Sequence, residues 1–275
     1  RRPVAIGFFV LVAGLVFWQA RSVDWAEVGR AMRALGAPTL LLAAALAAVS
    51  YAIYSSFDLL GRALTAHQVS TPRVVAVTFV SYAFNLNFGA LVGGMAFRYR
   101  LYSRLGLSGG VITRVLAVSM LTNWLGYCAL AGAILLTGIV SLPESWAGGG
   151  VLRAVGAGLL LVFAGYLCLV WFSRRRELSW RDHTVPLPSR RMALLQAGLS
   201  MANWMVMGAI VHTLLPGDGL SYPVVLGALL LAAIAGVVTH VPAGLGVLEA
   251  VFVAVAGDAV PRGVLLAALL AYRAI

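Results

Sequence analysis

The sequence contains no lysine and little charge of any kind. All twenty basic residues are arginine, and charged residues make up only 11% of the 275 residues. We attribute the lack of lysine to codon usage rather than to selection for phosphate binding. Ordinary soluble domains carry about 25% charged residues. So little charge, together with 61% hydrophobic residues, excludes such a domain.

Cysteine is scarce as well. Cys128 and Cys168 both lie in apolar runs, so neither a disulfide framework nor a metal-ligand spacing is indicated. The sequence also has no phosphate-binding loop, no nucleophile elbow and no histidine partner for either thiol. We therefore expect no catalytic site, no metal and no cofactor in this chain.

Long hydrophobic runs dominate the sequence instead. A run of about twenty apolar residues matches the hydrocarbon thickness of a bilayer, and a signal peptide would explain only the first of them. The sequence predicts an all-α polytopic membrane bundle with roughly seven or eight spans. The clearest spans are Pro3–Ala20, Pro38–Leu60, Val111–Val140, Val151–Phe172, Met192–Leu215, Tyr222–Val241 and a last one from Gly263 onward.

The net charge of +11 indicates the orientation of the chain and attraction to anionic lipid, not binding to nucleic acid. Arginine is concentrated in short loops, with six in residues 173–191, whereas the loops at 141–150 and 215–222 have none. Such arginines mark the cytoplasmic side. We therefore expect a bacterial cytoplasmic membrane protein with a cytoplasmic N-terminus, a basic cytoplasmic loop at 173–191 and two outward-facing loops.

Residues 21–36 read as an amphipathic helix lying in the membrane interface. Asp24 and Glu27, three residues apart, resemble a capping pair. One face of this helix is apolar and consists of Trp25, Val28, Met32 and Leu35. The whole chain is expected to form one transmembrane domain, 1–275. It begins without methionine and stops inside an apolar run, so we expect a fragment of a longer protein.

The apolar segment Val74–Phe97 is interrupted by the stretch NLNFGALVGG, residues 85–94. If the N-terminus is cytoplasmic, the loop 61–73 and the arginines at 98–104 both lie inside, which excludes a single crossing. Two crossings need about forty residues, and only 24 are available. The sequence predicts a re-entrant hairpin whose backbone lines protein or a water-filled cavity.

A second broken segment, THVPAGLGVLEA at residues 239–250, repeats this order of features: apolar half-helix, glycine-rich break, second half-helix. Arg98 in the first segment corresponds to Glu249 in the second, which suggests two loosely related halves. Paired broken segments are typical of a transporter's binding site. Simple glycine and proline kinks remain the alternative, above all for the second segment.

The stretches GGMAFRYRLYSRLGLS, THVPAGLGVLEAVFVA and LLAYR resemble the flippase-type transmembrane region of the multiple peptide resistance factor family, also called the lysylphosphatidylglycerol synthase transmembrane family. The resemblance implies translocation of lysyl- or alanyl-phosphatidylglycerol and resistance to cationic antimicrobial peptides. Full-length members add a cytosolic domain that transfers the amino acid from tRNA to the lipid. The longest cytoplasmic segment here, 173–191, is too short for that domain.

Two other functions remain open. In the first, the chain is the membrane portion of a phosphatidylglycerol lysyltransferase whose catalytic domain lies elsewhere. In the second, the chain exports another anionic or isoprenoid lipid. Expected partners are the phospholipid substrate, membrane lipids, a synthase domain in the same or a neighbouring chain, and a second copy of the chain. Whether the full-length protein is an enzyme is left open.

Charged residues inside spans usually face a cavity or a partner. We predict that Arg98 and Arg273 bind the lipid phosphate, and that Glu249 and Asp58 bind the amine or serve as internal counter-ions. The resemblance supports Arg98, Glu249 and Arg273. A polar path is expected to be lined by Asn85, Asn87 and His240.

Simpler structural roles compete with these predictions. Asp58 lies four residues before Arg62 near a helix end, which is also the spacing of an interfacial ion pair. Glu249 is equally explained by a structural pair with Arg273 or Arg98. Arg100 and Arg104 are expected to extend to cytoplasmic head groups.

Overall fold

The computed structural model describes residues 24–275 except 89–93, 145, 147, 174–176, 181–182, 216, 218, 240, 242–243 and 258. The predicted first span, 3–20, lies outside the described residues. Within them the chain forms ten helices and two strands: α1 Trp25–Ala34, α2 Ala37–Thr65, α3 Thr71–Phe88, α4 Phe97–Arg104, α5 Gly109–Thr137, α6 Gly149–Phe172, β1 Glu177–Trp180, β2 His183–Pro186, α7 Arg190–Leu214, α8 Tyr222–Thr239, α9 Val247–Ala256 and α10 Arg262–Ala274.

Five of these helices are long and apolar enough to cross a membrane, namely α2, α5, α6, α7 and α8. Each covers a span predicted from its hydrophobic run, with ends displaced by a few residues. The prediction of an all-α polytopic membrane protein is confirmed. Only 11% of the apolar window of α6 is buried inside the protein, as expected for a helix that faces lipid.

The chain divides into two compact units, which are described separately. In the first unit, residues 48–207, α5 packs closely on α6 because Gly132 and Gly156 bring the two backbones together. A partly buried chain of polar side chains joins α5, α6 and α7. The Tyr166 hydroxyl donates to Gln196 Oε1 (2.7 Å), and Gln196 Nε2 donates to Thr122 Oγ1 (3.0 Å). Inside a bilayer the lipid tails are as apolar as the side chains, so burial of apolar surface does not by itself drive helices together. Hydrogen bonds between helices, such as these two, help to hold them in contact.

The second unit contains the described part of residues 1–47 and residues 208–275. Asp24 caps α1, since its Oδ1 accepts from the amides of Ala26 (2.9 Å) and Glu27 (3.1 Å). Glu27 does not complete the predicted capping pair. Its carboxylate lies against Gly263 in the first turn of α10, where the helix dipole favours a negative charge.

The apolar face predicted for α1 is only partly buried. Val28 is buried, whereas Trp25 and Met32 are 56% and 42% exposed. Helix α1 packs along α10, so part of its apolar surface is used within the unit rather than left for lipid. Its position in the membrane interface stays a prediction.

The basic segment 173–191 contains more structure than the loop predicted from its charge. Strands β1 and β2 pair antiparallel, with Glu177 opposite Pro186 and Trp180 opposite His183. Two short stretches containing aromatic and β-branched residues, separated by two residues, favour a tight hairpin. This hairpin was not predicted because the segment was interpreted from its high arginine content alone.

Two stretches of the chain share one succession of helix lengths. Helices α2, α3 and α4 have 29, 18 and 8 residues, and helices α7, α8 and α9 have 25, 18 and 10. In both, the break follows the 18-residue helix and the short helix follows the break. This succession agrees with the internal repeat predicted from the two broken segments.

Candidate functional site

Helices α3 and α4 form the two arms of a hairpin. Near the break, the rings of Phe84 and Phe97 stack with centroids 4.1 Å apart. At the other end, Tyr102 belongs to one buried cluster with Val74 and Val77. The stacking of Phe84 on Phe97 near the break, and the clustering of Tyr102 with residues of the first turns of α3, show that α4 runs back along α3. The geometry is that of the predicted hairpin, and its entry into the membrane remains a prediction.

We expect cysteines at the two open ends of this hairpin to react from the same side of the membrane. In a chain whose Cys128 and Cys168 are replaced by alanine, Gln68→Cys and Ser103→Cys should both be labelled by a membrane-impermeant maleimide in inverted vesicles. Ser141→Cys, in the loop 141–150 predicted to face outward, is the control and should react only in intact cells. Opposite sidedness of positions 68 and 103 would show that the segment crosses the membrane.

A buried ion pair joins this hairpin to helix α2. Arg98 Nε lies 3.3 Å from Asp58 Oδ2, and the two side chains are 3% and 0% exposed. Tyr102 donates its hydroxyl to the same carboxylate oxygen at 2.9 Å. The guanidinium carbon of Arg98 lies 5.1 Å from the ring centroid of Tyr54, within cation–π range. Two predicted site residues are thus brought together.

Helical spacing explains why four side chains meet here. Tyr54 and Asp58 are four residues apart on α2, and Arg98 and Tyr102 are four apart on α4, so each pair projects from one face. Neither tyrosine was predicted from the sequence as a site residue. Each lies four residues from a predicted site residue on the same helix, and this spacing could have identified both. Tyr54 is positioned by stacking on Tyr82 of α3, with ring centroids 3.8 Å apart.

The alternative partner of Asp58, Arg62, is used elsewhere. Arg62 Nη1 donates to Thr71 Oγ1 at 2.6 Å, at the start of α3. Asp58 is turned toward α4 and is fully buried, so it is not part of an interfacial pair along α2. The spacing of Asp58 and Arg62 allowed both arrangements, and packing against α4 decides between them.

The Asp58–Arg98 pair is incompletely bonded. Asp58 Oδ1, Arg98 Nε and Arg98 Nη2 are inaccessible to solvent and have no hydrogen-bond partner in the described part of the chain. Burial of charged groups is costly unless they are paired and hydrogen-bonded. A buried pair with open polar atoms therefore marks a candidate functional site.

A second acid–arginine pair lies in the second unit. Arg273 Nε donates to Glu249 Oε1 (2.9 Å), Arg273 Nη2 approaches Oε2 (3.4 Å) and donates to the Gly244 carbonyl (3.0 Å). Glu249 is in the first turn of α9 and Arg273 in the last turn of α10, where helix dipoles stabilise these charges. The structural pair considered for Glu249 is therefore formed, with Arg273.

The remaining predicted site residues are polar groups near the breaks. The Asn85 side chain lies next to the Cα of Gly94, where a Cβ would come within 3.2 Å of its Oδ1, so this asparagine bridges the two sides of the first break. The Asn87 side chain and His240 lie outside the described residues. Their predicted roles on a polar path stay predictions.

Comparison with known proteins shows which family the chain belongs to. A family profile described as the lysylphosphatidylglycerol synthase TM region matches residues 4–275. The chain belongs to this family. The resemblance read from the sequence motifs is thereby confirmed, and membership of the lysylphosphatidylglycerol synthase TM family indicates a role connected with membrane lipids.

Two relatives extend the comparison. The inner membrane protein YbhN of Escherichia coli K12 is 47% identical over 268 residues, which cover 97% of this chain and 84% of that protein. The uncharacterized protein slr0712 of Synechocystis is 30% identical over 280 aligned positions, covering 99% of this chain and 86% of that protein. Membership of this family therefore extends over nearly the whole chain.

Proposed function

We propose that the chain translocates a phospholipid whose head group carries both a phosphate and an amine, most specifically lysyl- or alanyl-phosphatidylglycerol. The observation that carries the proposal is the buried, incompletely bonded Asp58–Arg98 pair on a broken helical segment. Family membership supports it through the lipid named in the family's description. Outward movement of this lipid would lower the negative surface charge and so reduce binding of cationic antimicrobial peptides.

The chemistry of the pair suits exchange of partners. When such a head group enters, Arg98 can move from Asp58 to the phosphate while Asp58 accepts the ammonium group. Each charge then keeps a partner, which avoids the cost of an isolated buried charge. A purely anionic head group would leave the Asp58 carboxylate unpaired, so the pair discriminates against it.

The Glu249–Arg273 pair offers the same two charges at the second break. Its side chains are 15% and 21% exposed, so water or a head group reaches them more readily than the first pair. We assign the phosphate to Arg273 and the amine to Glu249 in this pair. The arginine-rich loops support the proposal of a bacterial cytoplasmic membrane location with the N-terminus inside.

Transport is tested with head-group-labelled lysyl-phosphatidylglycerol in proteoliposomes. Glu249→Gln should slow protein-dependent transbilayer movement by about tenfold or more, because it removes one partner of a partly buried charge pair. Glu144→Gln, a matched change at an exposed residue of a short loop, should leave the rate unchanged. Labelled phosphatidylglycerol without the amino acid should move more slowly in the unaltered protein.

Two results would contradict the proposal. Well-folded protein that moves no lipid would exclude translocation by this chain. Equal rates for Glu249→Gln and the Glu144→Gln control would remove Glu249 from the path and leave it as a structural partner of Arg273.

A second candidate function follows from the words of the family description, which names a synthase. The chain would then serve as the membrane portion on which a catalytic domain makes lysyl-phosphatidylglycerol. Co-expression of this chain with a separate soluble synthase domain, in a host lacking the lipid, tests the idea. Lipid made only when both are present would favour the synthase portion, and lipid made equally without the chain would exclude it.

A further inference from the structure

A buried polar contact joins α2 to α7, and no step of the translocation proposal uses it. Ser50 donates its hydroxyl to Asn203 Oδ1 at 2.9 Å, and the two residues are 3% and 1% exposed. Ser50 lies near the middle of α2, Ala37–Thr65, and Asn203 near the middle of α7, Arg190–Leu214. Because both helices are long enough to span the membrane, we expect this contact to lie near the centre of the bilayer.

The bonding of Asn203 differs from that of the other buried polar residues of α7. Gln196 and Ser200 bond to oxygen atoms of α5 and α6, so these two residues hold the three helices together. Asn203 Nδ2 instead donates to the sulfur of Met207, at 3.6 Å and one turn further along the same helix. A thioether sulfur is a weak acceptor. Polar residues at this depth often belong to the path of a transported group, and the weakly bonded Asn203 is suited to bind one.

A continuous series of contacts connects Asn203 to the buried ion pair of α2 and α4. The guanidinium of Arg98 lies 5.1 Å from the ring centroid of Tyr54, and Tyr54 stacks on Tyr82 with ring centroids 3.8 Å apart. The Tyr82 hydroxyl donates to Met207 Sδ at 3.6 Å, and the same sulfur accepts from Asn203. All five residues belong to one compact unit. The contact between α2 and α7 is therefore joined to the candidate site by side chains alone.

Helical spacing along α2 gives the same succession. Ser50, Tyr54 and Asp58 are buried and four residues apart, so they follow one another along one face of the helix. With a rise of about 1.5 Å per residue, Ser50 lies about 12 Å from Asp58 along the helix axis. In the predicted orientation of α2, Asp58 is the nearer of the two to the cytoplasm. A head group that leaves the ion pair and moves outward would therefore pass Tyr54 and then meet Ser50 and Asn203.

We propose that Ser50 and Asn203 form an uncharged subsite that binds the free hydroxyl of a phospholipid head group containing glycerol. A hydroxyl that enters between the two side chains would accept from Ser50 and donate to Asn203 Oδ1, so each group keeps a partner. The phosphate and the amine of the head group need charged partners, whereas a hydroxyl is matched by neutral ones. This proposal rests on the translocation proposal and adds to it a means of selecting the lipid.

The test compares two lipids in proteoliposomes, each labelled on an acyl chain. Lysyl-phosphatidylglycerol has the hydroxyl, whereas phosphatidylethanolamine has a phosphate and an amine without it, so the unaltered protein should move the first lipid faster. Asn203→Leu should slow lysyl-phosphatidylglycerol by about tenfold, the scale of one hydrogen bond, and leave phosphatidylethanolamine unchanged. Gln196→Met is the matched control, since it removes another buried carboxamide from the same helix. The control should keep the preference between the two lipids.

Ser50→Ala removes the other side of the subsite and serves where Asn203→Leu does not fold; it should reduce the preference in the same direction. Equal slowing of both lipids by these variants would show that the contact only holds α2 to α7, and would overturn the proposal. An unaltered protein without a preference, or a preference that survives in both variants, would overturn the subsite alone. Movement of neither lipid by the unaltered, folded protein would instead contradict translocation itself.

Discussion

Arg98→Leu is expected to lower the free energy of unfolding by about 3–5 kcal/mol, because it leaves a buried carboxylate without its counter-ion. Asp58 is fully buried, and after the substitution the Tyr102 hydroxyl would be its only donor among the residues that the structure describes. The measurement is reversible unfolding in mixed micelles with increasing dodecyl sulfate. Arg104→Leu, on the same short helix but exposed, is the matched control and should change stability by less than about 0.5 kcal/mol.

A double variant separates the pair's contribution to stability from its contribution to function. Asp58→Leu combined with Arg98→Leu removes both buried charges, and such replacements are often neutral or stabilising. We expect the double variant to recover most of the lost stability yet to remain unable to move lipid. Recovery of transport together with stability would assign the pair a purely structural role. An Arg98→Leu variant as stable as Arg104→Leu would show that Asp58 is not buried as a charge.

Gly126→Ala is the second substitution with a large expected effect, a loss of about 3 kcal/mol. A Cβ at Gly126 would overlap backbone atoms of Ser200 and Met201 on α7, and backbone cannot move aside as a flexible side chain can. The same place carries two hydrogen bonds, from Ser200 Oγ (2.9 Å) and Trp204 Nε1 (3.2 Å) to the Asn123 carbonyl. Separation of α5 from α7 would stretch both.

Gly165→Ala is the matched control for Gly126→Ala. Gly165 is also inside a spanning helix, α6, but a Cβ there meets nothing within 4 Å. The same unfolding measurement should therefore give a change within about 0.5 kcal/mol. Similar losses for the two glycines would contradict the prediction, because Gly→Ala does not lower helix propensity and only the contact between α5 and α7 distinguishes the two positions.

The spans could be predicted well from the sequence because the prediction requires only that the length of each hydrophobic run be compared with the thickness of the bilayer. The length of a run is a local property of the sequence. The five long helices begin and end within a few residues of their hydrophobic runs. The two breaks were also visible, since glycine, proline and asparagine interrupt otherwise apolar segments. The arms around the first break have the antiparallel geometry that we expected from the positions of the arginines and the length of the segment.

Partner choice was not predictable in the same way. Asp58 had Arg62 four residues away, and only the return of α4 along α3 brings Arg98 to it instead. Glu249 had two candidate arginines, and Arg273 is chosen because the start of α9 meets the end of α10. These outcomes depend on contacts between helices, which sequence periodicity does not specify. The docking of Glu27 against Gly263 was missed for the same reason.

The sign of charge alternates between the two short helices, with arginine on α4 and glutamate on α9, and each is neutralised by a residue of another helix. Each pair therefore has no net charge. If the two side chains of a pair moved together through the membrane, the membrane potential would neither oppose nor assist the movement. By contrast, moving one elementary charge without its counter-ion across the membrane would change the free energy by about 2.3 kcal/mol for each 100 mV of membrane potential. Any voltage dependence of transport would then report the charge of the lipid alone, positive for lysyl- and zero for alanyl-phosphatidylglycerol.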